Sequence, residues 1–260
     1  MPEALNVSWR DVQALPQDIA DHRISYGENA LQFGELRLPR RKGPFPVAVL
    51  IHGGCWLNAF SLDHVSTLGR ALADQGFAVW TPVYRRVGDV GGGWPGTFED
   101  TRSGVGFLPD IAQKHSLDPG RLVVMGHSAG GHLALWLAAQ KTIPLSGVIS
   151  LAGISDLVTY ERLANDCASS LPGLFGGTSQ EVPERWKSSN PLELLPMDVP
   201  ISLIHGEIDA IVPLSQSEVF AEAAGAELQV IRGGGHFDMV SPYASAFPVI
   251  CRTLKRMTGP

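Results

Sequence analysis

Cysteine is scarce in this chain of 260 residues: there are three, Cys55, Cys167 and Cys251. They are widely separated, odd in number and form no C-x-x-C pair, so neither a disulfide framework nor a metal site is expected. Long apolar runs are lacking, and none approaches the roughly 20 residues of a membrane span. The opening stretch MPEALNVSWRDVQALPQDIAD is polar, without the apolar core of a secretory signal. A cytoplasmic location is therefore expected. Basic charge is in deficit, with 20 Lys and Arg against 26 Asp and Glu. No basic face for nucleic acid is evident, and no cofactor is called for. Internal repeats are lacking as well. What the chain has is 44% hydrophobic residues, enough for a single large domain over 1–260.

Strand and helix patterns alternate along it. Ile24–Tyr26 and Leu31–Leu38 read as an antiparallel hairpin at a sheet edge. Val47–Ile51, Leu122–Met125 and Leu145–Leu151 read as buried strands, and Phe77–Val83, Ile201–His205 and Leu228–Ile231 as further strands. Helices are expected at Asp63–Gln75, from a Thr97–Asp100 capping box to about His115, after Ser128, at Pro213–Ala224 and at Ser241–Met257. This is α/β: a mainly parallel eight-stranded sheet with helices on both faces. Residues 1–22 read as a loose arm or a short helix packed on the body. Residues 153–199 break the rhythm with Ser, Pro and Gly, and are expected to form a small cap or lid.

The chain is organised around RLVVMGHSAGGHLALWLAA, Arg121–Ala139. A buried strand runs into Gly126-His127-Ser128-Ala129-Gly130 and then into a helix. A G-x-S-x-G pentapeptide between strand and helix lets both approach a sharply turned serine without side-chain clash. The turn presents the hydroxyl, and the helix start offers N–H donors to an oxyanion. Ser128 is the expected nucleophile.

A serine needs a base, and the base an orienting acid. Of eight histidines, His236 follows a strand and three glycines, a loop with room for an imidazole. His127 adjoins the serine and is expected to point away from it. His132 suits a buried hydrogen bond, His205 a strand-end turn, and His22, His64 and His115 are expected to face solvent. For the acid, Asp209 follows a strand and precedes a helix. Asp156 competes, and Asp238 is expected to support the histidine loop. The order Ser128…Asp209…His236 is that of serine hydrolases on parallel α/β sheets. A second glycine loop, His52-Gly53-Gly54-Cys55-Trp56, ends another strand. The N–H groups of Gly54, Cys55 and Ala129 are the expected oxyanion hole. Only the main chain of Cys55 is expected to matter. Trp56, Phe175 and Trp94 are candidate substrate contacts.

These motifs resemble the α/β-hydrolase superfamily over nearly the whole chain from about Ile24. HGGCW is similar to the H-G-G-x-W of arylformamidase-like hydrolases and to the H-G-G-G of hormone-sensitive-lipase-like esterases. GHSAGGHLA, GISDL, SSNP and GGGHFD resemble the same groups. Cysteine in place of the esterases' third glycine is a departure, and pulls towards the formamidase-like branch. The resemblance maps Ser128, Asp209 and His236 onto a triad. It implies a serine carboxylesterase acting on small acyl esters through an acyl-enzyme. An arylformamidase cleaving N-formylkynurenine-type amides is the alternative, and an acyltransferase a third reading. The partner is a small molecule; a homodimer is left open.

Overall fold

Strand β3, Phe45–Ile51, shows why a sheet forms with two covered faces: all seven of its residues are buried. Val47, Val49 and Ile51 join one apolar cluster, and Ala48 and Leu50 join another on the opposite face, as the two-residue period of a strand requires. In the computed structural model, which describes residues 6–163 and 165–259, this strand lies inside an eight-stranded sheet. The others are β1 His22–Ser25, β2 Phe33–Arg37, β4 Ala78–Pro82, β5 Leu117–His127, β6 Gly147–Leu151, β7 Ile201–Gly206 and β8 Glu227–Ile231. Their order is β1-β2-β4-β3-β5-β6-β7-β8. β2 runs antiparallel to both neighbours, β1 and β4. The remaining neighbours are parallel. The architecture is the expected α/β-hydrolase one.

The helices are α1 Trp9–Ala14, α2 Ser66–Asp74, α3 Gly96–Gly106, α4 Leu108–His115, α5 Ala129–Ala139, α6 Leu157–Glu161, α7 Asp166–Ser169, α8 Leu171–Phe175, α9 Pro183–Lys187, α10 Ser215–Ala224 and α11 Ala246–Thr258. Central α5 is apolar all round, and every residue from Ala129 to Ala138 is buried. Among the described residues, no helix is long and apolar enough to cross a membrane. Residues 153–199 hold α6–α9 and a 3-10 turn at Pro191–Leu194. Many of their apolar side chains, including Leu171, Leu174, Phe175 and Trp186, are fully or almost fully buried.

Two expectations fail here for physical reasons. The capping box at Thr97–Asp100 does not form. Helix α3 starts at Gly96 with no side-chain cap, because the Thr97 hydroxyl donates to the Arg85 carbonyl. The Asp100 carboxylate is committed to the Arg85 main chain and guanidinium. Disulfide bonding is present: Cys55 pairs with Cys167 across 112 residues of sequence, Cα atoms 5.0 Å apart. Cys251 is free and buried.

Candidate active site

Ser128 has φ 57° and ψ −121°, a conformation that costs of order 1–3 kcal/mol in a residue with a side chain. Its neighbours over-determine it. A Cβ on Gly126 would lie 2.1 Å from the Gly130 carbonyl oxygen, and one on Gly130 would lie 2.2 Å from that of Ile51. Only glycine lets β5, α5 and β3 approach this closely. The Ser128 N–H donates to the Leu151 carbonyl at 2.9 Å, which fixes the turn to the neighbouring strand.

His236 comes from the loop after β8, and Asp209 from the loop after β7. The His236 Nδ1–H donates to Asp209 Oδ2 at 2.7 Å. That tautomer leaves Nε2 with a lone pair, and Ser128 and His236 line the same cavity. Asp209 is positioned by its own loop, because Oδ1 accepts from the N–H groups of Ile211 at 2.8 Å and Val212 at 2.9 Å. Its side chain is fully buried, as is that of His205, whose Nε2 lies 3.4 Å from Oδ2. Burial alone would raise the Asp209 pKa. The imidazoles of His205 and His236 beside it outweigh burial and hold the carboxyl well below its usual range. The acid stays ionised opposite the imidazole.

The competing groups are occupied elsewhere. Asp156 caps α6 by accepting from the N–H groups of Val158 and Thr159. His205 Nε2–H donates to the Val212 carbonyl at 2.9 Å, and its Nδ1 pairs with the Ser217 hydroxyl at 2.7 Å. His132 accepts from the Trp56 indole at 3.2 Å and donates to the Ser189 carbonyl at 2.9 Å. Asp238 supports the histidine loop, its Oδ2 accepting from the Gly235 N–H at 2.9 Å. It also accepts from the Val7 N–H at 2.9 Å, which the sequence did not suggest.

Gly54 and Cys55 line the cavity beside Ser128. Gly54, Cys55 and Trp56 have φ of 105°, 52° and 58°, three left-handed residues in succession. At Gly54 a Cβ would also fall 2.3 Å from that of Phe60. The Ala129 N–H opens α5, where helix geometry leaves the first donors unpaired. The Cys55 side chain is not idle: its disulfide, and the Ser170 hydroxyl donating to the Cys55 carbonyl at 2.9 Å, tie this loop to residues 153–199.

The expected substrate contacts are misplaced. Trp56 and Phe175 are fully buried and do not line the cavity. The left-handed turn carries Trp56 inward onto His132, and Phe175 packs on Trp186 and Phe98. Trp94 is exposed under Arg185 and lies in a different groove. The cavity, about 200 Å³, is instead walled by Trp9, Phe60, His64, Ile211 and Phe237. Phe237 and Ile211 adjoin the loops of His236 and Asp209 and were findable on that ground; Trp9 and Phe60 carried no local signal. His64 is half-buried on the cavity wall rather than fully solvent-facing. Burial pushes its pKa down to about 4, so it lines the cavity uncharged. His127 does not turn away either. It lines the cavity, its Nε2–H donating to the His236 carbonyl at 3.1 Å. Burial, then the nearby His236, keep it neutral. His115 is buried as well. Among the described residues, no group of three or more His, Cys, Asp and Glu side chains is placed to hold a metal.

Comparison with known proteins agrees with this architecture. The chain is 29% identical over 213 residues to the uncharacterized peptidase YtmA of Bacillus subtilis (strain 168), covering 79% of this chain and 80% of that one. It is 26% identical over 246 residues to a probable isoprenylcysteine alpha-carbonyl methylesterase ICME of Oryza sativa subsp. japonica. That match covers 83% of this chain, which spans 58% of the plant protein's length. The crystal structure of an inhibited esterase B from Lactobacillus rhamnosis superposes with TM-score 0.78 at 20% identity, covering 91% of this chain and 86% of that one. The BD-FAE family model matches residues 35–224, a segment that holds the glycine loop after β3, the elbow and Asp209. The chain belongs to the BD-FAE family, on an α/β-hydrolase fold.

Proposed function

We propose that this chain hydrolyses small carboxylic esters by a serine mechanism. The observation that carries the reading is the His236–Asp209 bond on the wall of the cavity that also holds Ser128. Ser128 Oγ attacks the ester carbonyl carbon while His236 Nε2 takes its proton. The oxyanion accepts from the N–H groups of Ala129, Cys55 and Gly54. His236 then returns the proton to the departing alkoxide, leaving an acyl-enzyme. Water attacks the acyl carbon as His236 takes its proton, and His236 hands that proton to Ser128 Oγ as the C–Oγ bond breaks and the carboxylic acid leaves. Asp209 holds the imidazolium without taking its proton.

The relatives described above carry esterase or peptidase names, and the plant proteins and the Lactobacillus enzyme are esterases by name. The ester reading therefore stands ahead of the formamide one. The Cys55–Cys167 disulfide favours an oxidising compartment over the cytoplasm. A fluorophosphonate should label the native protein at Ser128 and leave Ser128→Ala unlabelled, with kcat on p-nitrophenyl acetate lowered by about 10⁶-fold in that variant. Equal labelling of both would sink the serine mechanism. An N-formylkynurenine kcat/KM exceeding that of the best p-nitrophenyl ester by about tenfold, or about 1.4 kcal/mol, would move the substrate to aryl formamides.

A further inference from the structure

We propose that Trp9 sets the acyl-chain length this site accepts, by closing the far end of the catalytic cavity; the inference rests on the ester-hydrolase reading above. The indole stands among three rings, with centroids 5.8 Å from Phe60, 5.8 Å from His64 and 5.4 Å from Phe237. Beyond it lies a second cavity of about 240 Å³, reaching Gln13, Gln17 and Thr67. Trp9, Phe60 and His64 line both cavities. They are a party wall between a space that holds the nucleophile and one that does not.

The three wall residues differ in how they are held. Phe60 and His64 belong to the segment after β3, where the Phe60 carbonyl accepts from Arg86 at 2.6 Å and His64 Nδ1–H donates to the Ser61 carbonyl at 2.7 Å. Trp9 arrives from outside the sheet, on the six-residue helix α1. It is set in place by the Val7 N–H bond to Asp238 and by the reciprocal Ser8–Asp11 cap. Asp238 lies two residues from His236, so the arm is registered directly against the triad loop. A substitution at Trp9 opens the wall without touching a triad residue or a strand.

The acyl part is the part such an apolar recess suits. The alkoxide leaves after the first half of the reaction. The acyl group stays on Ser128 until water releases it, so it needs a seat for both halves. A cavity of about 200 Å³ equals about seven water volumes, room for a short chain only. Shortening the indole takes away one of the three shared wall residues and opens the wall towards the second space of about 240 Å³. Each methylene accommodated in an apolar pocket is worth about 10- to 200-fold in kcat/KM.

The test compares p-nitrophenyl acetate, butyrate and octanoate on native protein, Trp9→Ala, Trp9→Leu and Trp9→Phe. Trp9→Ala and Trp9→Leu should raise the octanoate-to-acetate ratio of kcat/KM by about tenfold or more, and Trp9→Phe by much less. A ratio that stays level or falls in the folded Ala or Leu variant overturns the assignment. So does an equal gain on acetate esters of longer alcohols, which would give the cavity to the leaving group. Trp9→Leu keeps the test open if Trp9→Ala does not fold. Fluorophosphonate labelling separates the two ideas. Loss of labelling in native protein removes the serine reading, whereas labelled protein with a level ratio removes only the role of Trp9.

Discussion

Two strand-end loops meet at the cavity, and they are braced in different ways. The elbow at Gly126–Gly130 is held by what lies next to it: β3, β6 and its own helix. The loop at Gly54–Trp56 has three successive left-handed residues, and its braces come from far along the chain, through Cys167 and Ser170. The elbow is a self-contained device. The second loop depends on residues 153–199 for its shape. A short motif can thus be contiguous in sequence while the support for one of its loops lies more than a hundred residues away.

The largest effect that would sharpen this contrast lies on the acid loop, which is also braced locally. Asp209→Asn should lower kcat by about 10⁴-fold by favouring the wrong imidazole tautomer, with the fold retained. Next comes the remote brace. Cys167→Ser should cost about 2–5 kcal/mol of unfolding free energy, as removal of a native disulfide does. It should lower kcat by less than the roughly 10²-fold that loss of a whole oxyanion donor brings. Denaturant titration with kinetics checks both, and unchanged stability would mean the loop stands without its brace.

Acid titration gives a smaller, graded effect. The folded-state pKa of Asp209 lies below the ordinary aspartate value of 3.8. The unfolded chain therefore binds a proton first as pH falls, and the contribution of Asp209 to stability, full above about pH 5, shrinks towards pH 3. Asp238 acts in the opposite sense, since burial raises its pKa and its share of stability grows as pH falls. The difference between native protein and Asp209→Asn isolates the first: the variant should have the flatter acid limb, and parallel limbs would contradict the assignment. Smallest of all, Asp156→Asn should leave kcat/KM within about a factor of ten, because that carboxylate caps α6 and accepts from Asn190, away from the cavity. A loss matching that of Asp209→Asn would put the acid on the wrong strand.

How much could be read beforehand follows the same division. The strand order Ser128, Asp209, His236 was legible because each residue sits just past a strand with a local signature: glycine spacing, a strand-to-helix loop, a run of glycines. The eight strands were legible because each buried one is nearly continuous in apolar residues. Side-chain direction was not. Nothing in HGGCW shows that φ turns positive at Cys55 and Trp56, so a tryptophan beside the glycine loop looked like a substrate contact and is core. The Cys55–Cys167 bond was invisible because spacing rules speak only to clustered cysteines. Trp9 was invisible because its role depends on an arm docking against Asp238. The capping box at Thr97 failed because Arg85, remote in sequence, claimed both of its polar groups.

The packing of α11 has a consequence for handling the enzyme. Its last turn rests on the beginning of β6: a Cβ on Gly147 would lie 2.6 Å from Met257 Sδ. Ser128, Asp209 and His236 sit beyond the opposite ends of parallel strands β5, β7 and β8. An anchor fused after Gly259 would therefore leave the mouth of the cavity facing the medium. Asn6 and Val7, by contrast, pack against the histidine loop: a Cβ on Gly235 would meet Asn6 Oδ1 at 2.3 Å, and Val7 is bonded to Asp238. Attachment to a solid support is best made through the end of α11.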